Sequence, residues 1–152
     1  MGLALLDVDH FKAVNDRFGH SAGDAILCKV AEALSGAVRK VDLVARYGGE
    51  EFAVVLPRAD RAAAAAAAEK LRAAVAQALI GPDPAAPVTV SVGVASWPVD
   101  GADLPTLVDA ADAALYAAKR AGRNVVQVHA PGMRVHPGRK RDVKTTADAD
   151  AG

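Results

Sequence analysis

The chain has 152 residues, 52% of them hydrophobic, with 18 Lys and Arg against 18 Asp and Glu and one cysteine, Cys28. That size and apolar content fit one domain with an ordinary core, and a lone cysteine excludes an intrachain disulfide and a cysteine zinc cluster and points to a reducing cytoplasm. Zero net charge argues against coating a nucleic-acid backbone, whereas a small phosphorylated ligand needs only a few local cations.

Residues 3–8 read as a short buried strand. They have no basic flank and run at once into carboxylates, unlike a signal peptide. A polar stretch follows over 9–22, then a predicted helix over 23–38 with Ile26, Leu27, Val30, Ala31 and Leu34 on one face. Residues 41–47 and 50–56 read as a β-hairpin whose turn, Gly48-Gly49, is expected to adopt positive φ. Pro57 ends the second strand. Asp60 suits the N-cap of an alanine-rich helix reaching about residue 79. The alanine run 62–68 is the longest purely apolar segment, far short of the ~20 residues of a membrane-spanning helix. Over 88–95, Val88, Val90, Val92 and Val94 alternate with Thr89, Ser91, Gly93 and Ala95, the pattern of a strand. Asp103 caps a last helix carrying Leu104, Leu107, Ala111 and Leu115, which stops at Gly122. Residues 124–129 close with a strand. Residues 130–152 have no apolar periodicity and read as a disordered tail; its Arg139-Lys140-Arg141 cluster either meets an anionic partner or stays solvated. The order βαββαβαβ predicts one α+β domain over residues 1–129, with helices on a largely antiparallel sheet.

Four clusters carry chemistry. Asp7 and Asp9 end the first strand at i and i+2, on one side of it. They suit either a hard cation, which prefers oxygen ligands, or an ordinary solvated strand end. At the hairpin tip, Gly48 and Gly49 let phosphate or ribose approach the backbone. Glu50 and Glu51 repel each other there, a cost that a metal ion offsets; a plain solvated hairpin is the alternative. Asn15, His20 and Asp24 surround a helix start. Asp24 is either a carboxylate answering the helix dipole or an acceptor for guanine N1–H and N2–H₂. Lys119 and Arg123 lie four apart at a helix C-terminus, where cations are favoured in any case and where two of them also suit a triphosphate.

In this order the pieces resemble the GGDEF family of diguanylate cyclase domains. The resemblance rests on Asp7-Val8-Asp9-His10-Phe11-Lys12 with Asn15-Asp16, on Phe18-Gly19-His20 and Gly23-Asp24, and on Arg46-Tyr47 followed by the GGEEF turn, Gly48 to Phe52. It continues through Ser91-Val92-Gly93-Val94-Ala95 and through Ala111-Asp112, Ala114-Leu115-Tyr116, Ala118-Lys119 and Gly122-Arg123-Asn124. It covers about residues 3–129. It implies a fold like the palm of adenylyl cyclases and polymerases. It also implies a reaction in which the 3′-hydroxyl of one GTP attacks the α-phosphorus of another, giving cyclic di-GMP and pyrophosphate at a site shared by a homodimer. Carried over by position, Asp7, the carbonyl of Val8 and Glu50 are metal ligands for two Mg²⁺ or Mn²⁺ ions per GTP site, with Glu51 as a helper. Glu50 is also the family's candidate base, and Lys12 stabilises charge on the phosphates. Asn15, His20 and Asp24 contact guanine and ribose. Gly48 and Gly49 border the substrate, and Lys119 and Arg123 clamp the β- and γ-phosphates. Arg39 and Asp42 match an R-x-x-D product-inhibition site; a short charged turn is the alternative.

Members of the family carry a helix and a D-x-L-T-G-L-x-N-R segment before the first strand. No counterpart appears here, so an N-terminally shortened domain, separated from its usual sensor domain, is expected. An intact GGEEF turn favours an enzyme over a non-catalytic receptor for cyclic di-GMP or GTP.

Overall fold

The computed structural model describes residues 1–138, and the cluster Arg139-Lys140-Arg141 lies outside them. Nine elements follow one another: β1 (Gly2–Val8), α1 (Phe11–Phe18), α2 (His20–Ala37), β2 (Leu43–Arg46), β3 (Glu51–Leu56), α3 (Arg61–Gln77), β4 (Val90–Ser96), α4 (Leu104–Arg120) and β5 (Val126–Val128). The sheet order is β2-β3-β1-β4-β5. β1 is central and antiparallel to both β3 and β4, and β2 is antiparallel to β3. Only β4 and β5, joined through α4, run parallel. The expected α+β architecture is therefore the observed one.

Both faces of the sheet are covered. On one, Ala4, Leu6 and Val8 of β1 and Val90, Val92 and Val94 of β4 pack with α1, α2 and α3. α3 contributes Ala64, Ala68, Leu71 and Val75, a helical stripe that its low-complexity sequence conceals. On the other face α4 alone packs on Leu3, Leu5 and Ala95 through Leu107, Ala111 and Leu115. Gly93 permits this closeness: a Cβ there would sit 2.1 Å from the Leu115 nitrogen and 2.3 Å from the Ala111 carbonyl oxygen. The alternation over 88–95 is present, but β4 is buried on both sides.

Three expectations about local structure need correction. The polar stretch 9–22 is mostly helical: α1 occupies Phe11–Phe18, and α2 begins at His20 rather than Gly23. Left-handed His10 (φ 56°) divides α1 from β1, and Gly19, extended at positive φ (88°), divides the two helices from each other. The Phe11, Val14, Phe18 spacing was the available signal, masked by polar neighbours. Next, the element order is βααββαβαβ, with shorter hairpin strands than predicted. Finally, neither Gly48 nor Gly49 has positive φ. The chain reverses over a longer loop, in which the Tyr47 and Gly48 amides donate to the Glu51 carbonyl at 2.8 and 3.3 Å.

Helix caps follow the sequence. Asp60 accepts from the Ala63 amide, and Asp103 forms a reciprocal capping box with Thr106. Away from the candidate site, half-buried Asp100 draws together α3, the end of β4 and the residue after β5. It accepts from Arg61 (2.8 and 2.9 Å) and from the Ser96 amide (2.7 Å), and lies 3.0 Å from His129 Nδ1. Burial pushes its carboxyl up, but the bonds from His129, Arg61 and Ser96 outweigh that and hold it below its ordinary value. Among the described residues no helix is long and apolar enough to cross a membrane.

Candidate active site at the end of the central strand

Because β1 lies mid-sheet, its last residues are flanked by the hairpin on one side and by β4 on the other. Asp7 pairs with Glu51 across β3, and the Val8 amide donates to the Glu50 carbonyl at 3.1 Å. The acidic tip of GGEEF is thereby fixed beside the acidic end of β1. Asp7 is 7% exposed and meets Lys119, from the last turn of α4, at 3.1 Å. Glu50 is held above the ordinary carboxyl value, first by burial, then by the charge of Asp7 and, more weakly, Glu51; Lys119 pulls it the other way. The structure thus draws Asp7, Val8, Glu50, Glu51 and Lys119 into one place.

These residues fit a hard divalent cation. Two carboxylates and a carbonyl offer only oxygen, and mutual repulsion at Glu50 is what a cation relieves. Among the described residues no cluster of three or more His, Cys, Asp and Glu side chains is arranged as a metal cage. Such a site suits an ion that completes its shell with water and substrate phosphate.

The hairpin is held by a residue to which the sequence analysis assigned no role. Arg46 donates to the Gly49 carbonyl from Nη2 (2.7 Å) and Nε (3.1 Å). Its place in the motif was visible, but its target was a backbone oxygen that no residue pattern announces.

α1 and α2 carry the other candidates. Lys12 is exposed near the start of α1, and His20 opens α2. Asn15 backs onto Gly23, where a Cβ would fall 1.9 Å from Asn15 Oδ1; that oxygen is buried without a hydrogen-bond partner. Exposed Asp24 begins a groove of about 510 Å³ that runs past Leu27 and Cys28 to Val44 and Phe52. At the far end of α2, Arg39 and Asp42 close on each other in a two-bond pair of 3.0 and 3.2 Å. The Arg39 hydrogen bond holds the Asp42 carboxyl below its usual range.

Beyond α4 the chain turns through Gly122 (φ 112°), Arg123 (φ 64°) and Asn124 (φ 47°), leaving Arg123 exposed. Asp9 does not join Asp7. It accepts from Thr89, Ser91 and the Asn124 amide instead.

A palm-like sheet with a buried carboxylate at the end of its central strand, a glycine-flanked acidic hairpin beside it and a cation from the adjoining helix defines the class of nucleotide cyclase domains. Within that class, residues 1–125 match the family model "Diguanylate cyclase, GGDEF domain". The chain belongs to the GGDEF family. It is 42% identical over 127 residues to diguanylate cyclase A of Treponema denticola, a match covering 83% of this chain and 34% of that protein. The chain thus spans about a third of that relative's length. Among solved structures it resembles the active GGEEF domain of a diguanylate cyclase from Vibrio cholerae, with TM-score 0.78, 32% identity and coverage of 85% and 82% of the two chains. It also resembles the GGDEF domain of DgcB from Caulobacter crescentus in complex with c-di-GMP, with TM-score 0.74, 38% identity and coverage of 84% and 76%.

Proposed function

We propose that this chain is the catalytic domain of a diguanylate cyclase, active as a homodimer on two GTP molecules. The observation that carries the reading is the convergence of Asp7 and Glu50 at the end of β1, where the Val8 amide bonds the Glu50 carbonyl, in a chain of this family. Two Mg²⁺ or Mn²⁺ ions per GTP, held by these groups with Glu51 in support, would neutralise phosphate charge and favour the ionised 3′-hydroxyl. The chain's own residues do the rest. Asp24, Asn15 and His20 bind guanine and ribose, and the bare backbone of Gly48 and Gly49 admits the substrate closely. Lys119, now on Asp7, exchanges that partner for the triphosphate, with Arg123 beside it and Lys12 nearer the reacting phosphate. Glu50 takes the proton of the 3′-hydroxyl. In each of two such steps a 3′-oxygen bonds to the α-phosphorus of the other GTP and the bond to pyrophosphate breaks.

One domain offers one set of base contacts, whereas the product holds two guanosines. Two domains facing each other complete the site, brought together by a fused sensor domain in the cytoplasm. Cyclic di-GMP returns to Arg39 and Asp42 as inhibitor, opening their mutual pair to grip guanine.

Incubation with GTP and Mg²⁺, followed by chromatography, tests the reading. Cyclic di-GMP and pyrophosphate are expected, with specific activity rising with protein concentration, because untethered halves must find each other. Cyclic di-GMP bound, but none formed even when the domain is fused to a parallel coiled coil, would favour a receptor instead.

A further inference from the structure

We propose that Asp9, the second carboxylate of the Asp-Val-Asp run, is a positioning residue that fixes the phosphate-clamping turn at Arg123 to the strand bearing Asp7. The inference rests on the reading of Arg123 as a triphosphate clamp.

Asp9 is 5% exposed, and its oxygens are already engaged. Oδ1 accepts from Ser91 Oγ at 2.6 Å; Oδ2 accepts from Thr89 Oγ1 at 2.7 Å and from the Asn124 amide at 3.0 Å. A buried carboxylate with three donors has little capacity left for a cation. What it does instead is join three stretches of chain: the end of β1, β4, and the turn after α4, which is 115 positions away in sequence.

That turn needs an anchor. Arg123 and Asn124 both have left-handed φ, a conformation that side-chain-bearing residues hold only where the surroundings impose it. Three bonds impose it here. The Arg123 amide donates to the Ala118 carbonyl at 3.2 Å, Arg72 Nη1 donates to Asn124 Oδ1 at 2.7 Å, and the Asn124 amide donates to Asp9. Of these, the Asp9 bond alone ties the turn directly to β1. Since Asp7 ends the same strand, Asp9 sets where the Arg123 guanidinium starts relative to the acidic centre. The two carboxylates of the run divide the work: Asp7 faces the reacting groups, and Asp9 holds the backbone from which a phosphate ligand extends.

Calorimetry of a GTP analogue with a methylene-bridged α–β linkage, and of GMP, tests this on the full chain, with D9N, S91A, R123A and D9N/R123A compared. D9N should weaken binding of the triphosphate about tenfold, as expected for loss of a hydrogen bond to a charged group, and leave GMP nearly unaffected. S91A keeps the carboxylate but frees one of its oxygens; it should shift the triphosphate in the same direction, and it serves if D9N folds poorly. D9N should add nothing in the R123A background, because both act through one clamp. Equal losses for GMP and triphosphate would mean a merely structural role and overturn the proposal. So would additive losses, or recovery of D9N at high Mg²⁺, which would mark Asp9 as a metal ligand. An R123A variant that binds the triphosphate normally would remove the clamp and the Asp9 role together. Wild-type GTP turnover would persist in that case, which separates it from failure of the cyclase reading.

Discussion

The acidic end of β1 and the groove along α2 are built differently. At the first, Asp7 and Asp9 are buried, each with partners from distant elements, and α4 rests on the bare backbone of Gly93. At the second, Asp24 and His20 are exposed, and the Oδ1 of Asn15 is buried without a partner. The contrast teaches where preorganisation lies. Under the proposed function, the carboxylate expected to meet metal is set by packing before any ligand arrives, whereas the groups expected to meet the base await it. Preset dipoles and charges are what stabilise transferring phosphoryl groups without reorganisation during the reaction. A base-reading site needs only unpaired polar groups in the right order, because a wrong base leaves them unpaired.

Four substitutions break or sharpen this contrast. The largest effect is expected at the closed end. E50Q removes a charge while roughly keeping shape, and cyclic di-GMP formation should fall about 10²–10⁴-fold with the melting temperature retained. Product yield by chromatography checks it; undiminished turnover would take Glu50 out of the mechanism. G93A comes next, for a different reason. Its Cβ would meet α4 backbone, which cannot swing aside, so urea unfolding should show a loss of about 3 kcal/mol.

G23A tests the open end with the same chemical change. Its Cβ would meet the tip of Asn15, a side chain that can move, and the edge of the Phe11 ring at 3.1 Å, which needs to give only a few tenths of an ångström. The gain of about 1 kcal/mol from alanine over glycine in a helix offsets that displacement. Stability should hardly change, while affinity for GTP should fall about tenfold through displaced base contacts. If G93A and G23A instead destabilise equally, the two regions do not differ as described.

The smallest effect concerns the scaffold behind both. Asp100 has a depressed carboxyl pKa, so the unfolded chain binds its proton more readily than the native one. Its contribution to stability is complete above the ordinary carboxyl value of 3.8 and is lost as pH falls through the depressed native value. Thermal unfolding between about pH 6 and about pH 2, the span over which carboxylates titrate, should therefore show a shallower acid loss in D100N than in the wild type.

The sequence analysis anticipated much of this because much of it is local. Helix stops, the Asp60 and Asp103 caps and the β4 alternation are relations between near neighbours, and so is the adjacency of Gly48, Gly49, Glu50 and Glu51. It missed α1, whose single apolar stripe of Phe11, Val14 and Phe18 is interrupted by charges. It misjudged the hairpin turn, because Gly-Gly is compatible with positive φ without requiring it.

The sequence by itself determined the family and the α+β class, and it named the residues proposed here for metal and phosphate chemistry. Residue types and short spacings record those directly. The tertiary structure alone decided that Lys119 rests on Asp7, that Arg46 grips the Gly49 carbonyl, and that Asp9 turns from Asp7 to the Asn124 amide. The Lys119 and Asp9 contacts join positions more than a hundred residues apart, and those of Arg46 and Asp9 engage backbone atoms that every residue shares. No pattern of side chains can specify such partners; only the order of strands and the docking of α4 bring them together.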